Sequence, residues 1–170
     1  MTCLATLALT CLAVLFVGMA SMLQPVPKLI WNASASVPIG LYSVTPTNIH
    51  HAGDLVVVRP PEALAVFLDM RGYLARGVPL LKHIAALPGQ VVCRTGRTIT
   101  VNRVTMGHAL DRDHLGRILP VWEGCRLVTD QEVFLMNWQS ENSLDGRYFG
   151  PLPASTIVGR ADPLWMEQDH

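Results

Sequence analysis

The sequence predicts a mainly β domain with one short helix, preceded by an N-terminal transmembrane helix. Three observations predict it. The run from Leu4 to Leu23 (LATLALTCLAVLFVGMASML) is apolar, and no charged side chain precedes Lys28. Short β-branched runs bounded by turn residues recur through the remainder. Only one later segment, opened by Pro60-Pro61, carries a helical apolar face.

As a helix, about 20 apolar residues rise roughly 30 Å, which matches the hydrocarbon thickness of a bilayer. A cleaved signal peptide is the competing reading, because Gly18-Met19-Ala20 offers small residues at a cleavage site. Against it, the run exceeds the usual apolar core of about 7 to 15 residues, and there is no basic leader. Residues 1–24 are therefore expected to be a transmembrane anchor or an uncleaved signal segment, and residues 25–170 one domain. Lys28 lies on the far side of the run, so charge bias leaves the orientation open.

The chain has 170 residues, half of them hydrophobic, enough for one modest domain with a core, although part of that hydrophobicity lies in the N-terminal run. Its first clear strand is Asp54 to Arg59, introduced by Gly53. The helix is expected over Glu62 to Leu74, ending near Gly77 and packing on the sheet. Val91-Val92-Cys93 and Thr98 to Val101 flank a Thr95-Gly96-Arg97 turn as a hairpin would, and Glu132 to Met136 reads as another apolar strand. No repeat, low-complexity tract or long linker divides this part of the chain.

Cys3 and Cys11 lie in or beside the apolar run and read as small buried residues. Cys93 and Cys125 remain, an even count that suggests one bridge in an oxidising compartment, with two unpaired buried thiols as the alternative. Closing a loop of that length would stabilise the fold by roughly 3 to 4 kcal/mol in the chain-entropy picture. Net charge is zero and no basic stripe is present, which argues against nucleic-acid binding. The histidine pair His50-His51 reads as a solvated turn beside Gly53. With no H-E-x-x-H and no C-x-x-C, neither metal nor cofactor is expected. Asp111 and Asp113 around Arg112 read as a polar loop, and a G-x-S-x-G elbow is absent.

Three segments carry chemistry. In Asn32 to Tyr42 (NASASVPIGLY), Ser34 and Ser36 are either spacer or nucleophile. A serine hydroxyl needs a base, and Pro79 to Gly89 (PLLKHIAALPG) supplies a candidate in Lys82. On a strand, Leu80, Lys82 and Ile84 share a face, so the ammonium would point into apolar surroundings. An ordinary lysine is neutral in about one molecule in 2,500 at pH 7, but full burial lowers its pKa by roughly 3 to 5 units. The alternative is a Lys82 that snorkels at a strand edge, and His83, facing the other way, is the rival base. In Asn137 to Pro153, Ser143, Asp145 and Arg147 fall on one face of an extended chain, either orienting a buried amine or holding a structural turn.

Together these segments resemble the type I signal peptidase superfamily, the membrane-bound serine/lysine proteases. That family has an S-x-S-M-x-P box, a K-R-x-x-G-L-P-G box and an N-S-x-D-S-R box. Here they stand as Ser34-Ala35-Ser36-Val37-Pro38, as Lys82-His83-Ile84-Ala85-Ala86-Leu87-Pro88-Gly89, and as Asn142-Ser143-Leu144-Asp145-Gly146-Arg147. One residue instead of two separates Ser36 from Pro38, and Gly40 and Tyr42 complete an S-x-P-x-G-x-Y pattern. That variant, with Trp122-Glu123-Gly124-Cys125-Arg126 and Asp145 to Pro153 (DGRYFGPLP), resembles the TraF branch of conjugative transfer peptidases.

The resemblance implies a signal-peptidase-like antiparallel β domain. It implies Ser36 as nucleophile, Lys82 as general base, and an oxyanion hole from the Ser34 side chain and the Ser36 N–H. Ser143 would hydrogen-bond the lysine, with Asp145 and Arg147 bracing that wall. The implied substrate is a membrane-inserted pilin precursor, and the implied location is the bacterial inner membrane with the catalytic domain in the periplasm. Some members of the branch are associated with joining pilin ends into a ring, and these residues do not separate hydrolysis from cyclisation. A general signal peptidase for exported preproteins and a catalytically inactive anchored assembly factor are the other classes left open.

Overall fold

The structure is a computed structural model that describes residues 3–22 and 27–167, the side chains of 20–22 excepted. In chain order it forms helix α1 (Cys3–Met22), strands β1 (Leu29–Asn32), β2 (Gly40–Thr45) and β3 (Leu55–Val58), and helix α2 (Glu62–Met70). Strands β4 (Leu80–Ala86), β5 (Val91–Thr95), β6 (Thr98–Val101), β7 (Val104–His108), β8 (Gly124–Leu127) and β9 (Glu132–Leu135) follow. A single helical turn, α3 (Gly146–Phe149), then precedes β10 (Leu152–Pro153), a 3₁₀ turn (Ala154–Thr156) and β11 (Ile157–Met166).

The strands form two antiparallel sheets. Seven run in the order β1-β2-β11-β3-β4-β9-β10, and four in the order β7-β6-β5-β8. The large sheet is held by β-branched residues that fit a pleated, buried surface: Val56, Val57 and Val58 of β3 are fully buried beside β4. One core cluster joins Val56, Val58, Ile84, Val133 and Leu135, and another joins the serine segment to the sheet through Val37, Tyr42, Val57 and Leu81. Lys82 is the third residue of β4, opposite Val56 in register.

Several expectations change in detail. The helix α2 begins at Glu62 as read but stops at Met70, four residues early, because the chain turns at Gly72 with φ +67°, a left-handed conformation that glycine adopts without cost. Cys3 and Cys11 are exposed on α1, not buried. Cys93 and Cys125, directly opposite each other on β5 and β8, are joined by a disulfide. His51 is exposed in the turn before Gly53, whereas the Nδ1 of His50 is buried without a hydrogen-bond partner among the described residues.

The N-terminal run is helical, with no acidic residue in its first turn and no basic residue in its last. Its described side chains cover residues 3–19, a rise of roughly 25 Å. Among the described residues, no helix is long and apolar enough to cross a membrane. The expected boundary at residues 24 and 25 lies outside the described residues.

Candidate active site

Ser34 and Ser36 sit in the turn between β1 and β2, and a single buried side chain organises that turn. The Nδ2 of Asn32 donates to the carbonyls of Ser34 (2.7 Å), Val37 (3.0 Å) and Pro38 (3.0 Å). Its Oδ1 accepts from the Ser34 N–H (3.2 Å) and the Ser34 hydroxyl (3.0 Å). The Tyr42 hydroxyl donates to the Pro38 carbonyl at 2.6 Å, and Val37 packs into the core. Gly40 lies where a Cβ would stand 2.2 Å from the Trp165 carbonyl oxygen, so a side chain there would push β11 away from β2. The S-x-P-x-G-x-Y pattern therefore describes a turn fixed at both ends.

Lys82 is only 4% exposed, which removes the snorkelling alternative. Its Nζ donates to the Ser143 hydroxyl at 2.7 Å. Burial pulls its pKa from the ordinary lysine value down to about 8; the Asp145 carboxylate opposes that shift and the Arg147 guanidinium adds to it. His83 faces elsewhere, its ring against Trp138 (4.9 Å between centroids) and its Nδ1 3.1 Å from Asn137 Oδ1.

Ser143, Asp145 and Arg147 do converge, but on a turn and not on an extended chain. Asp145 caps the helical turn α3 by accepting from the Arg147 N–H at 3.1 Å. Its carboxylate also accepts from Arg147 Nε and Nη2, both at 2.9 Å, with both side chains essentially out of solvent. A spacing of two is compatible with a shared strand face, yet a carboxylate followed by N–H groups is equally a helix cap, and the cap prevails. The guanidinium then donates to the carbonyls of Asn137 (3.2 Å), Ser140 (2.6 Å) and Ser143 (3.3 Å), so the loop before Ser143 is wrapped around Arg147. Gly146 replaces the serine of the related box, and a Cβ there would lie 2.7 Å from the Leu135 carbonyl oxygen.

Ser34, Ser36 and Lys82 line two adjoining cavities of about 560 and 420 Å³. Ser36 Oγ lies 3.1 Å from Ser34 Oγ, while Lys82 Nζ holds Ser143. Among the described residues, no hydrogen bond joins Ser36 to Lys82 directly. The two groups face one space from separate partners.

A family model of signal peptidase, peptidase S26, matches residues 1–166. The chain belongs to that signal peptidase family. A probable conjugal transfer protein TraF of Sinorhizobium fredii is 37% identical over 78% of this chain and 74% of its own length. A conjugal transfer protein TraF of Agrobacterium tumefaciens is 36% identical over 79% of this chain and 80% of its own length. A solved signal peptidase I from Enterococcus faecalis aligns with a TM-score of 0.41 at 17% identity, covering 68% of this chain and 98% of that one. The peptidase S26 assignment carries the general activity, that of a serine peptidase.

Three site residues of this peptidase escaped the sequence reading. Asn137 is 1% exposed; its Oδ1 accepts from the His83 N–H (3.0 Å) and its Nδ2 donates to the Leu81 carbonyl (3.1 Å), so one amide grips the backbone on both sides of Lys82. Its own N–H donates to Asp145 at 3.0 Å. Asn32 and Arg94 are the others; the Arg94 guanidinium donates to the Arg147 carbonyl at 2.6 Å. All three act on backbone atoms, which leave no spacing pattern, although an asparagine ending an apolar strand at Met136-Asn137 is a usable signal.

Proposed function

We propose that this chain is a membrane-anchored serine endopeptidase that matures a pilin precursor in conjugative transfer. Residues 1–24 serve as the anchor in the inner membrane and residues 25–170 as the catalytic domain in the periplasm. The one observation that carries the catalytic part is the buried Lys82 amine, which is bonded to Ser143 and opens on the same cavities as Ser36. The conjugal transfer relatives support the pathway, and the pairing of Cys93 with Cys125 supports an oxidising compartment.

In this reading Ser36 Oγ attacks the scissile carbonyl while neutral Lys82 takes its proton, then gives it to the leaving amine. A lysine held near pKa 8 is deprotonated in a useful fraction near neutral pH. The resting Ser36 must leave Ser34 to approach the lysine, a rotation that substrate occupancy would favour, since catalytic contacts commonly tighten only in the complex. Ser34 would turn its hydroxyl from Asn32 Oδ1 to the developing oxyanion, beside the Ser36 N–H. Ser143 fixes the lysine rotamer, and Asp145 with Arg147 holds the Ser143 loop rigid.

The experiment is mass spectrometry of a co-expressed pilin precursor with the active chain and with Ser36→Ala. Processing by the first and none by the second supports the proposal. Equal processing by both would sink it.

A further inference from the structure

The two cavities that meet at Ser34, Ser36 and Lys82 are not equivalent for proton transfer. Ser143, the acceptor of the Lys82 ammonium, lines the smaller cavity and not the larger. The amine therefore points to the smaller side, and a group that takes its proton in acyl transfer must lie within reach there. In amide cleavage that group is the leaving nitrogen. The larger cavity, bounded by β1 residues Ile30 to Asn32 and by Leu81, is left for the acyl side.

We infer that the smaller cavity binds the substrate segment that follows the scissile bond, and that it selects an apolar side chain there. This rests on the Ser36 and Lys82 assignment made above. The walls are Leu68, Leu110, Leu119 and Leu144 with the rings of Tyr73 and Tyr148, an apolar lining suited to such a side chain. The one carboxylate in the lining, Asp113, is already saturated. It accepts from the Tyr73 hydroxyl, from Arg117 Nε (2.7 Å) and from the N–H groups of Leu115 (2.9 Å) and Arg117 (2.8 Å), and its side chain is 5% exposed. Asp113 therefore has no free lone pair aimed at a cationic substrate group; beside Lys82, His114 is the other basic side chain in a lining that is otherwise mainly apolar.

The two steps require Ser36, Lys82 and an incoming water or amine. In acylation the Ser36 Oγ–carbon bond forms, the carbon–nitrogen bond breaks, and the serine proton travels through Lys82 to the departing amine. In the second step water, or an amine whose side chain occupies the same cavity, attacks the ester carbon. The ester carbon–oxygen bond breaks, and the attacking group's proton returns through Lys82 to Ser36 Oγ. The cavity that releases the leaving segment is thus also the one that seats an acceptor.

The test uses the full chain in detergent and an internally quenched peptide that it cleaves, varied only at the two positions after the cut. Leucine or phenylalanine there should raise kcat/KM roughly 10- to 100-fold over aspartate or lysine, the range expected for filling or charging an apolar pocket. Leucinamide added as acceptor should divert acyl-enzyme to amide product, and aspartic acid diamide should not. Leu110→Lys should shift the preference toward aspartate. Should that variant lose its melting transition, Leu110→Ala supplies the same readout as a weakened preference for phenylalanine. Equal rates for all four residues, with Ser36 still acylated, would overturn the inference and leave the nucleophile assignment standing. Failure of Ser36 to acylate at all would overturn both.

Discussion

Lys82 Nζ lies 2.7 Å from Ser143 Oγ, although 61 residues separate them. Lys82 is on a strand braced by β3, and Ser143 is on a loop wrapped around Arg147. The contact therefore reports how two independent pieces of chain are brought into register. It also keeps an amine with a lowered pKa from rotating into solvent.

Activity should rise with pH. As the proposed base, Lys82 would act only when neutral, so the rate should climb as the ammonium loses its proton, with a midpoint near 8, and Lys82→Arg should be inactive because guanidinium stays charged. A kcat/KM profile against pH on a short peptide checks this; substantial activity in Lys82→Arg, or loss only on changing His83, would move the base to the histidine. Stability follows the same group. The unfolded lysine holds its proton up to about 10.4 and the folded one only to about 8, so the burial penalty is complete below pH 8 and relieved as pH rises between the two. Lys82→Met should accordingly raise the melting temperature at pH 7 more than at pH 10.

Asn137→Ala should lower both rate and stability. It leaves the Leu81 carbonyl and the His83 N–H without their partner, at about 1 to 3 kcal/mol for each buried group. Because those groups flank Lys82, kcat should fall roughly tenfold or more, as for other small misplacements of a catalytic group, with KM for a short peptide little changed. A variant that melts earlier but keeps kcat would show that the amide stabilises the sheet without positioning the lysine.

Cys93→Ser, or reducing agent, should lower thermal stability by roughly 3 to 4 kcal/mol, since the bridge closes a loop of sequence separation 32. The disulfide lies in the four-stranded sheet, apart from the serine turn, so labelling of Ser36 by an acylating probe should keep its selectivity. Non-reducing peptide mapping of protein taken from the periplasm checks the pairing, and two free thiols would remove it.

Removing residues 1–23 should leave cleavage of a soluble peptide nearly unchanged and sharply reduce processing of a membrane-bound precursor. On the proposed anchoring, Ser36, 13 residues past Leu23, would stay within about 45 Å of the surface even on an extended tether. Confinement to one surface raises effective concentration without a new contact. Equal precursor processing by the truncated chain, at equal expression in the same compartment, would reduce the segment to a targeting device.

Much of the candidate site was legible because the side chains that the fold brings together stand in recognisable sequence boxes. The strands β3, β5, β6 and β9 followed from β-branched runs and turn residues, whereas Lys82 between Leu80 and Ile84 left burial and snorkelling both open until the fold closed over it. What failed was local geometry decided by tertiary context. The end of α2 was set by Gly72 and not by Gly77, and the Asp145–Arg147 pair proved to be a helix cap that also collects carbonyls from the loop. Arg94 and Asn137 were missed because they serve backbone atoms contributed by distant segments, and Asn32 because it serves the carbonyls of its own turn, which no side-chain pattern marks. The cavities were likewise beyond reach, since Leu68, Leu110 and Leu144 come together only in the fold.

The central claim is that Ser36 forms the acyl-enzyme and Lys82 enables it. Acid quench of the full-length protein during turnover of a peptide ester, followed by mass-spectrometric mapping, tests it most directly. The account predicts one acyl adduct, on Ser36, absent in Ser36→Ala and reduced at least a hundredfold in rate of formation by Lys82→Met, within the range for loss of a general base. An adduct on another residue, or one that forms on Ser36 at the native rate without Lys82, would contradict it.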